Sequence, residues 1–261
     1  MADYVLARKS RNIASSAVHV LLNILLGVGA VFLTVFSANP ALGIILVLVS
    51  KWRVFAVRSR YLWINIKSNL VDIIVGLSIV FLSYSAGSSL LPVHIILILL
   101  YVGWLLFIKP MSTEGANLVQ SLIAVFLGIS ASTIMTANLD AILAVLFAFL
   151  IGYAASRHVL VQTESENFLL TTLACGLVFA EIAWLCHSWA IIYSFGETGI
   201  KVPQAAIILT IFAFVYNYAR QAVVRYREDF RFKNILGPVI FGMVLVGIIV
   251  FFFSKPVFNI Y

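Results

Sequence analysis

Charge is scarce in this chain. Of its 261 residues, 10% are Asp, Glu, Lys or Arg and 63% are hydrophobic. A soluble domain of this size carries about 25% charged and 45–50% apolar residues. No polar stretch is long enough to fold on its own, which excludes a separate soluble domain. Together with a mean hydropathy of +1.10, this reads as one integral membrane domain over 1–261, an all-α polytopic bundle. Acid is scarcer still, and the formal net charge is +7. That excess does not imply nucleic acid, because insertion holds the cations of membrane proteins on the cytoplasmic side. Cysteine is nearly absent. Cys175 and Cys186 lie in one apolar run, roughly 16 Å apart along a helix, too far to bond to each other within it.

Familiar chemical motifs are missing as well. The chain has no GxxxxGK[ST] phosphate loop, no GxGxxG after a strand and no HExxH. No paired aspartates suggest prenyl or phosphatidyl transfer, and no lysine sits deep in a late span. No His, Cys or carboxylate pair has metal-ligand spacing with supporting residues. No cofactor, no metal and no enzymatic activity are therefore expected.

What is present is a series of apolar runs. A bilayer core needs about 20 apolar helical residues. Nine runs qualify as spans: 14–36, 40–57, 69–87, 91–108, 117–136, 139–156, 168–190, 203–221 and 235–254. The basic start (Arg8, Lys9, Arg11) resembles a signal peptide, but the run behind it is too long for a signal core and ends on Phe36, so a retained first span is expected. With the N-terminus in the cytoplasm, Lys201 and Lys255 are the two cations left outside of the 17 in the chain. This favours an N-in, C-out chain in the inner (plasma) membrane. The second run is the weakest, since Lys51 and Arg53 must snorkel for it to cross. Pro40 suits its first turn.

Between the second and third runs lies a basic stretch with Lys51, Arg53, Arg58, Arg60 and Lys67. Drawn as one helix, Trp52, Phe55, Leu62, Trp63 and Ile66 form an arc bordered by these cations, while Val54, Val57 and Tyr61 fall opposite. Such a face suits a membrane–water interface. It is either a lipid- or partner-binding collar or an ordinary basic connection that anchors topology. Asp72, just beyond, is expected to pair with Lys67 or another collar cation. A second basic linker repeats the spacing: Arg220, Arg225 and Arg227 match Arg53, Arg58 and Arg60. With a one-residue shift, Lys233 and Gly242 match Lys67 and Gly76. This is either an old duplication or the common effect of positive-inside selection.

Two rows of small residues recur every fourth position. Ala124, Gly128, Ser132 and Thr136 lie on the fifth span, and Ala144, Ala148, Gly152 and Ser156 on the sixth. Small faces let helix backbones approach closely in lipid, so these two helices are expected to pack through them. Alternatively, Ser130, Ser132 and Thr133 line a wet cavity. Glu181 lies well inside the seventh span, where an ionisable group costs about 2.5–3.5 kcal/mol and marks a functional site by default. A proton or cation site joining Glu181 with His187 or His94 is one reading. A protonated Glu181 bonded to a neighbouring helix is the other. His19 and Asn23 share a face of the first span and are expected to bond across helices. Trp184, Trp189 and Tyr193 read as an outer aromatic belt.

Two resemblances can be placed on residues. Gly128-Ile129-Ser130 resembles the serine motif of intramembrane proteases, but Ala131 stands where glycine is expected and no partner histidine follows at a matching depth. The run from Lys51 to Arg58, with Asn69, Asp72 and Gly76, resembles a segment of uncharacterised multi-pass proteins of small-genome candidate-phylum bacteria. It covers about a tenth of the chain and implies a membrane protein without naming an activity. Two functions are thus expected: a small transporter or channel-like protein using Glu181, or a structural or assembly subunit whose basic linkers hold anionic lipid or membrane-protein partners.

Overall fold

The computed structural model describes residues 2–87, 91–161, 167–189, 191–195, 199–225 and 232–253, with side chains from residue 15 onward except 224, 225 and 234. The chain is an all-α bundle. Its helices are α1 (Ala2–Ser37), α2 (Pro40–Ser50), α3 (Trp52–Phe55), α4 (Ser59–Ala86), α5 (Leu91–Gly103), α6 (Glu114–Thr136), α7 (Ala141–Leu160), α8 (Phe168–Trp189), α9 (Gln204–Arg225) and α10 (Lys233–Phe253). A π-helical turn, Trp104–Ile108, extends α5. A short antiparallel hairpin, β1 (Ile192–Ser194) with β2 (Lys201–Pro203), joins α8 to α9.

Seven helices are long and apolar enough to cross a bilayer, and α4 makes eight if its two halves are taken as one bent span. This is a multi-pass membrane protein. The predicted second span, 40–57, needs correction. Helix α2 stops at Ser50, α3 adds a single turn, and α4 begins at Ser59. Its start follows expectation, with Pro40 in the first turn and the Asn39 side chain accepting from the Ala41 N–H at 2.8 Å. It ends at Lys51, whose backbone N–H donates to the Leu48 carbonyl at 2.9 Å while its side chain turns inward to a buried carboxylate. The α2 helix still runs alongside the middle of α4, from Asp72 to Val80. Gly43 lies against Val80, Val47 against Gly76, and Lys51 against Asp72.

Helix α4 bends by 64° between Ser68 and Leu70. The cause is local. The Ser68 hydroxyl and the Asn69 amide both donate to the Asn65 carbonyl at 2.9 Å. Side chains inserted into the backbone ladder kink helices. The half before the bend carries the collar and the half after it enters the bundle.

Two apolar cores meet at α6. One joins α1, α2, α4 and α5 around Val75, Ile79 and Tyr101. The other joins α6 to α9 around Ile129, Phe179 and Leu209. The hairpin end of the bundle holds Phe253 near Tyr193, whose hydroxyl donates to the Phe253 carbonyl at 3.3 Å. Helix directions put Ala2 toward the opposite end. There too lie Arg53, Arg58, Arg60, Lys67, Lys109, Arg157, Arg220 and Lys233, while Lys201 stands alone among the described cations at the hairpin end.

The α6 and α7 helices do pack together, but their small rows do not face each other. The seam uses the Ser121 hydroxyl, which donates to the Ala155 carbonyl at 3.2 Å, and Gly128, where a Cβ would come within 3.1 Å of Ile151 and 2.9 Å of Ile74. The α7 row faces α8 instead. A Cβ on Gly152 would meet the Phe179 ring at 2.5 Å, and one on Gly176 of α8 would lie 3.0 Å from the Phe149 carbonyl oxygen of α7. Spacing reveals that a close-approach face exists, but not which neighbour takes it. Thr136 and Ser132 bond carbonyls of their own helix.

Candidate functional site

The densest chemistry lies where α2, α4 and α5 converge at the cation-rich end. Asp72 is 7% exposed and Lys51 6%. Asp72 Oδ2 accepts from Lys51 Nζ and from Lys109 Nζ, the latter at 2.7 Å. Its Oδ1 accepts from Trp104 Nε1 at 3.0 Å. Both carboxylate oxygens are therefore used by three donors on two segments, the end of α2 and the π turn. Each arrives for a local reason. Lys51 ends α2. Asp72 follows the α4 bend by less than one turn. Trp104 opens the π turn, whose wide ring is closed by the Lys109 N–H donating to the Trp104 carbonyl at 2.8 Å. Single π turns recur at functional sites. The Lys109 side chain is 40% exposed, so the cluster opens to the bundle end on that side. With Lys51 and Lys109 both charged, one acid faces two cations and the cluster carries a net positive charge.

Around it lies a second polar layer. Gln120 Nε2 donates to the Ile108 carbonyl at 2.7 Å and the Met111 carbonyl at 2.9 Å, tying α6 to the end of the π turn. With its amide nitrogen so committed, Gln120 Oε1 is the acceptor for His158 Nε2 at 2.7 Å, which makes that nitrogen the protonated one. Above the cluster, the Tyr101 hydroxyl is buried and has no hydrogen-bond partner. Gly76 makes room for it, since a Cβ there would lie 2.8 Å from the hydroxyl oxygen. Val47, Val75, Ile79 and Val80 fill the seam beyond, and all are fully buried.

At the hairpin end a cavity of about 110 Å³ opens between α4, α5 and α6. Its lining is chiefly apolar, with Ser85, Ser130 and Lys201 among the wall residues. The Ser130 hydroxyl is buried without a partner. Nearby, His94 is buried and its Nε2 lies 3.3 Å from the Ser83 carbonyl.

The sequence-predicted residues are distributed differently from expectation. Asp72 pairs with a basic residue of the stretch, but with Lys51 and not Lys67, so Lys51 leaves the collar. Lys67 lies over the Trp63 ring at 5.1 Å and Arg60 over Tyr61 at 4.5 Å. Arg53, Arg58 and Arg60 are exposed beside exposed Trp52, Phe55, Tyr61 and Trp63. The drawn arc is split between α3 and α4, with Leu62 and Ile66 partly covered. In the second linker, Arg220 has its Nε buried without a partner. The Arg225 side chain and Arg227 lie outside the described residues, so the proposed repeat is compared through Arg220, through Lys233, which is exposed, and through Gly242, which packs against Val215 of α9.

Glu181, His187 and His94 are not brought together. Glu181 is exposed on the outward face of α8, His187 is partly buried, and His94 is enclosed between α4 and α5. No hydrogen bond or ion pair joins them among the described residues. His19 and Asn23 bond to each other at 3.2 Å on an exposed face, not across helices. Sequence reasoning missed Trp104, Lys109 and Tyr101. Lys109 carried a signal, being a lone cation ending a span. Trp104 carried none, because its inward turn depends on the π geometry. No protein-family model, curated protein or solved structure matches the chain.

Proposed function

We propose that this membrane protein is a structural or assembly subunit that grips an anionic leaflet through the elbow formed by α3 and the first half of α4. One observation carries the reading. Arg53, Arg58 and Arg60 stand exposed among four exposed aromatics, Trp52, Phe55, Tyr61 and Trp63, on a segment that the α4 bend turns away from the bundle. Aromatic rings at headgroup level with cations beside them are what an acidic membrane surface retains. That end of the chain is then cytoplasmic, with the N-terminus inside, in the plasma membrane. Each cation near such a surface contributes about 1 kcal/mol, or roughly five-fold in lipid preference. The test is energy transfer from the elbow tryptophans to dansyl-labelled phosphatidylglycerol in phosphatidylcholine liposomes. Wild-type protein should concentrate the labelled lipid. The triple variant Arg53→Gln, Arg58→Gln, Arg60→Gln should lose most of that enrichment while melting at the same temperature. Equal enrichment in both would reject the reading.

Transport keeps one supporting observation after Glu181 is found to face outward. The cluster of Lys51, Asp72 and Lys109 has a positive excess and opens at Lys109, which suits a small anion. On that reading Lys109→Gln slows chloride flux into proteoliposomes. Flux of the wild-type protein no faster than through protein-free liposomes would dismiss it.

A further inference from the structure

The carboxyl of Glu181 presents an unsolved problem. It is exposed on α8, eight residues from Trp189 and so roughly 12 Å inside the helix end. A glutamate side chain is too short to reach water over that distance. No hydrogen bond or ion pair satisfies it among the described residues. Ionisable groups inside spans face a bundle interior or pair with another group, and here the interior is not on offer.

The residues around it point to the occupant. Flanked by exposed Leu169, Leu173, Leu185 and Trp189, the middle of the outward face of α8 carries Leu170, Ala174, Leu177, Glu181, Trp184 and Ser188. They alternate by four and three residues, a 3.5-residue repeat, which is the seam of a left-handed helix pair. Within it Ala174, Glu181 and Ser188 fall every seventh residue, so a small, a carboxyl and a small side chain share one line. Small residues permit close approach, and polar ones bond across. A single polar residue at such a position also sets the register.

We propose that α8 is a self-association helix. Two copies of this chain pair in parallel along Ala174, Glu181 and Ser188, and their Glu181 carboxyls hydrogen-bond across the two-fold axis. A second copy is the occupant chosen because the group is self-complementary. A carboxyl that holds its proton both donates and accepts, and a two-fold axis normal to the membrane sets the two at one depth. The described cations lie outside the apolar middle of the spans, at helix ends, before Ser15 on α1 or before the bend of α4, so this chain offers no outward-facing mid-span cation as an alternative mate.

The experiment measures subunit number by single-molecule photobleaching of the labelled full chain in liposomes over a range of dilution. Wild type and Glu181→Gln should dimerise, the amide retaining donor and acceptor. Glu181→Leu should weaken dimerisation by roughly ten-fold. It removes an insertion penalty, so loss of folding is not a competing outcome. With Cys175→Ala and Cys186→Ala in the background, Ala174→Cys and Ser188→Cys should each give an oxidised dimer, whereas Met243→Cys on α10 should not. Monomers at every dilution, a dimer indifferent to Glu181→Leu, or cross-linking through α10 and not α8 would each overturn the proposal.

Discussion

Asp72→Ala is expected to cost about 3–5 kcal/mol, the usual effect of removing one partner from a buried ion pair. The cost falls unevenly on the three donors. Lys109 is 40% exposed and turns to water. Trp104 loses the acceptor of a buried N–H, which costs about 1–3 kcal/mol. Lys51, 6% exposed, is left as a charge with no counter-ion, so it either sheds its proton or drags the end of α2 out of the bundle. A detergent melt followed by fluorescence should show a large drop in midpoint, and trypsin should cut faster at Arg53 and Arg58. Asp72→Asn should fall between, since it keeps an acceptor for Trp104. The double variant Lys51→Met, Asp72→Leu should recover most of the loss, because a buried pair can be exchanged for apolar groups of similar volume with little penalty. An Asp72→Ala protein as stable as wild type would mean that the cluster does not hold α2.

The parts of this architecture that were legible in the sequence are those governed by solvent. Apolar run length located every long helix, because lipid demands it of each span separately. The gathering of cations at one end followed from the same rule. Pairing was harder to read. Gly152 and Ser156 declare a close-approach face, yet whether α6 or α8 fills it depends on the folded arrangement of three helices. Asp72 announced a partner among nearby cations, and Lys51 is one. Lys109 and Trp104, 37 and 32 positions further on, are delivered by a π turn that leaves no mark in composition. Glu181 shows the sharpest difference. Depth was readable from its distance to the helix ends, but direction was not. The low amphipathicity of an apolar helix removes the contrast that normally tells an inner face from an outer one.

Gly43→Ala is expected to destabilise the protein by about 1–3 kcal/mol, the range for overpacking a tight contact. Helix α2 fully buries Gly43 and Val47 and packs Ile44 and Leu46 against the core, while Leu42, Ile45 and Val49 face outward. A Cβ at position 43 would lie 2.1 Å from Thr34 Oγ1, 2.9 Å from Val80 Cγ1 and 3.0 Å from the Ala30 carbonyl oxygen. The hydroxyl cannot simply rotate away, because it donates to that same carbonyl at 2.8 Å and is buried. The carbonyl belongs to the α1 backbone, so relief requires α1 and α2 to separate. Thr34→Ala combined with Gly43→Ala should recover part of the stability, since it removes the nearest clash and leaves the backbone one. The stronger test is the combination with Asp72→Ala. If Gly43 and Lys51 are the two anchors of one short helix, freeing either end largely frees the other. The two losses should then sum to clearly more than the double variant shows, by at least about 0.5 kcal/mol, a size that independent sites do not reach. Strict additivity in the same melt would instead mean that each end of α2 is held by its own neighbours, and that this helix is not fastened as a unit.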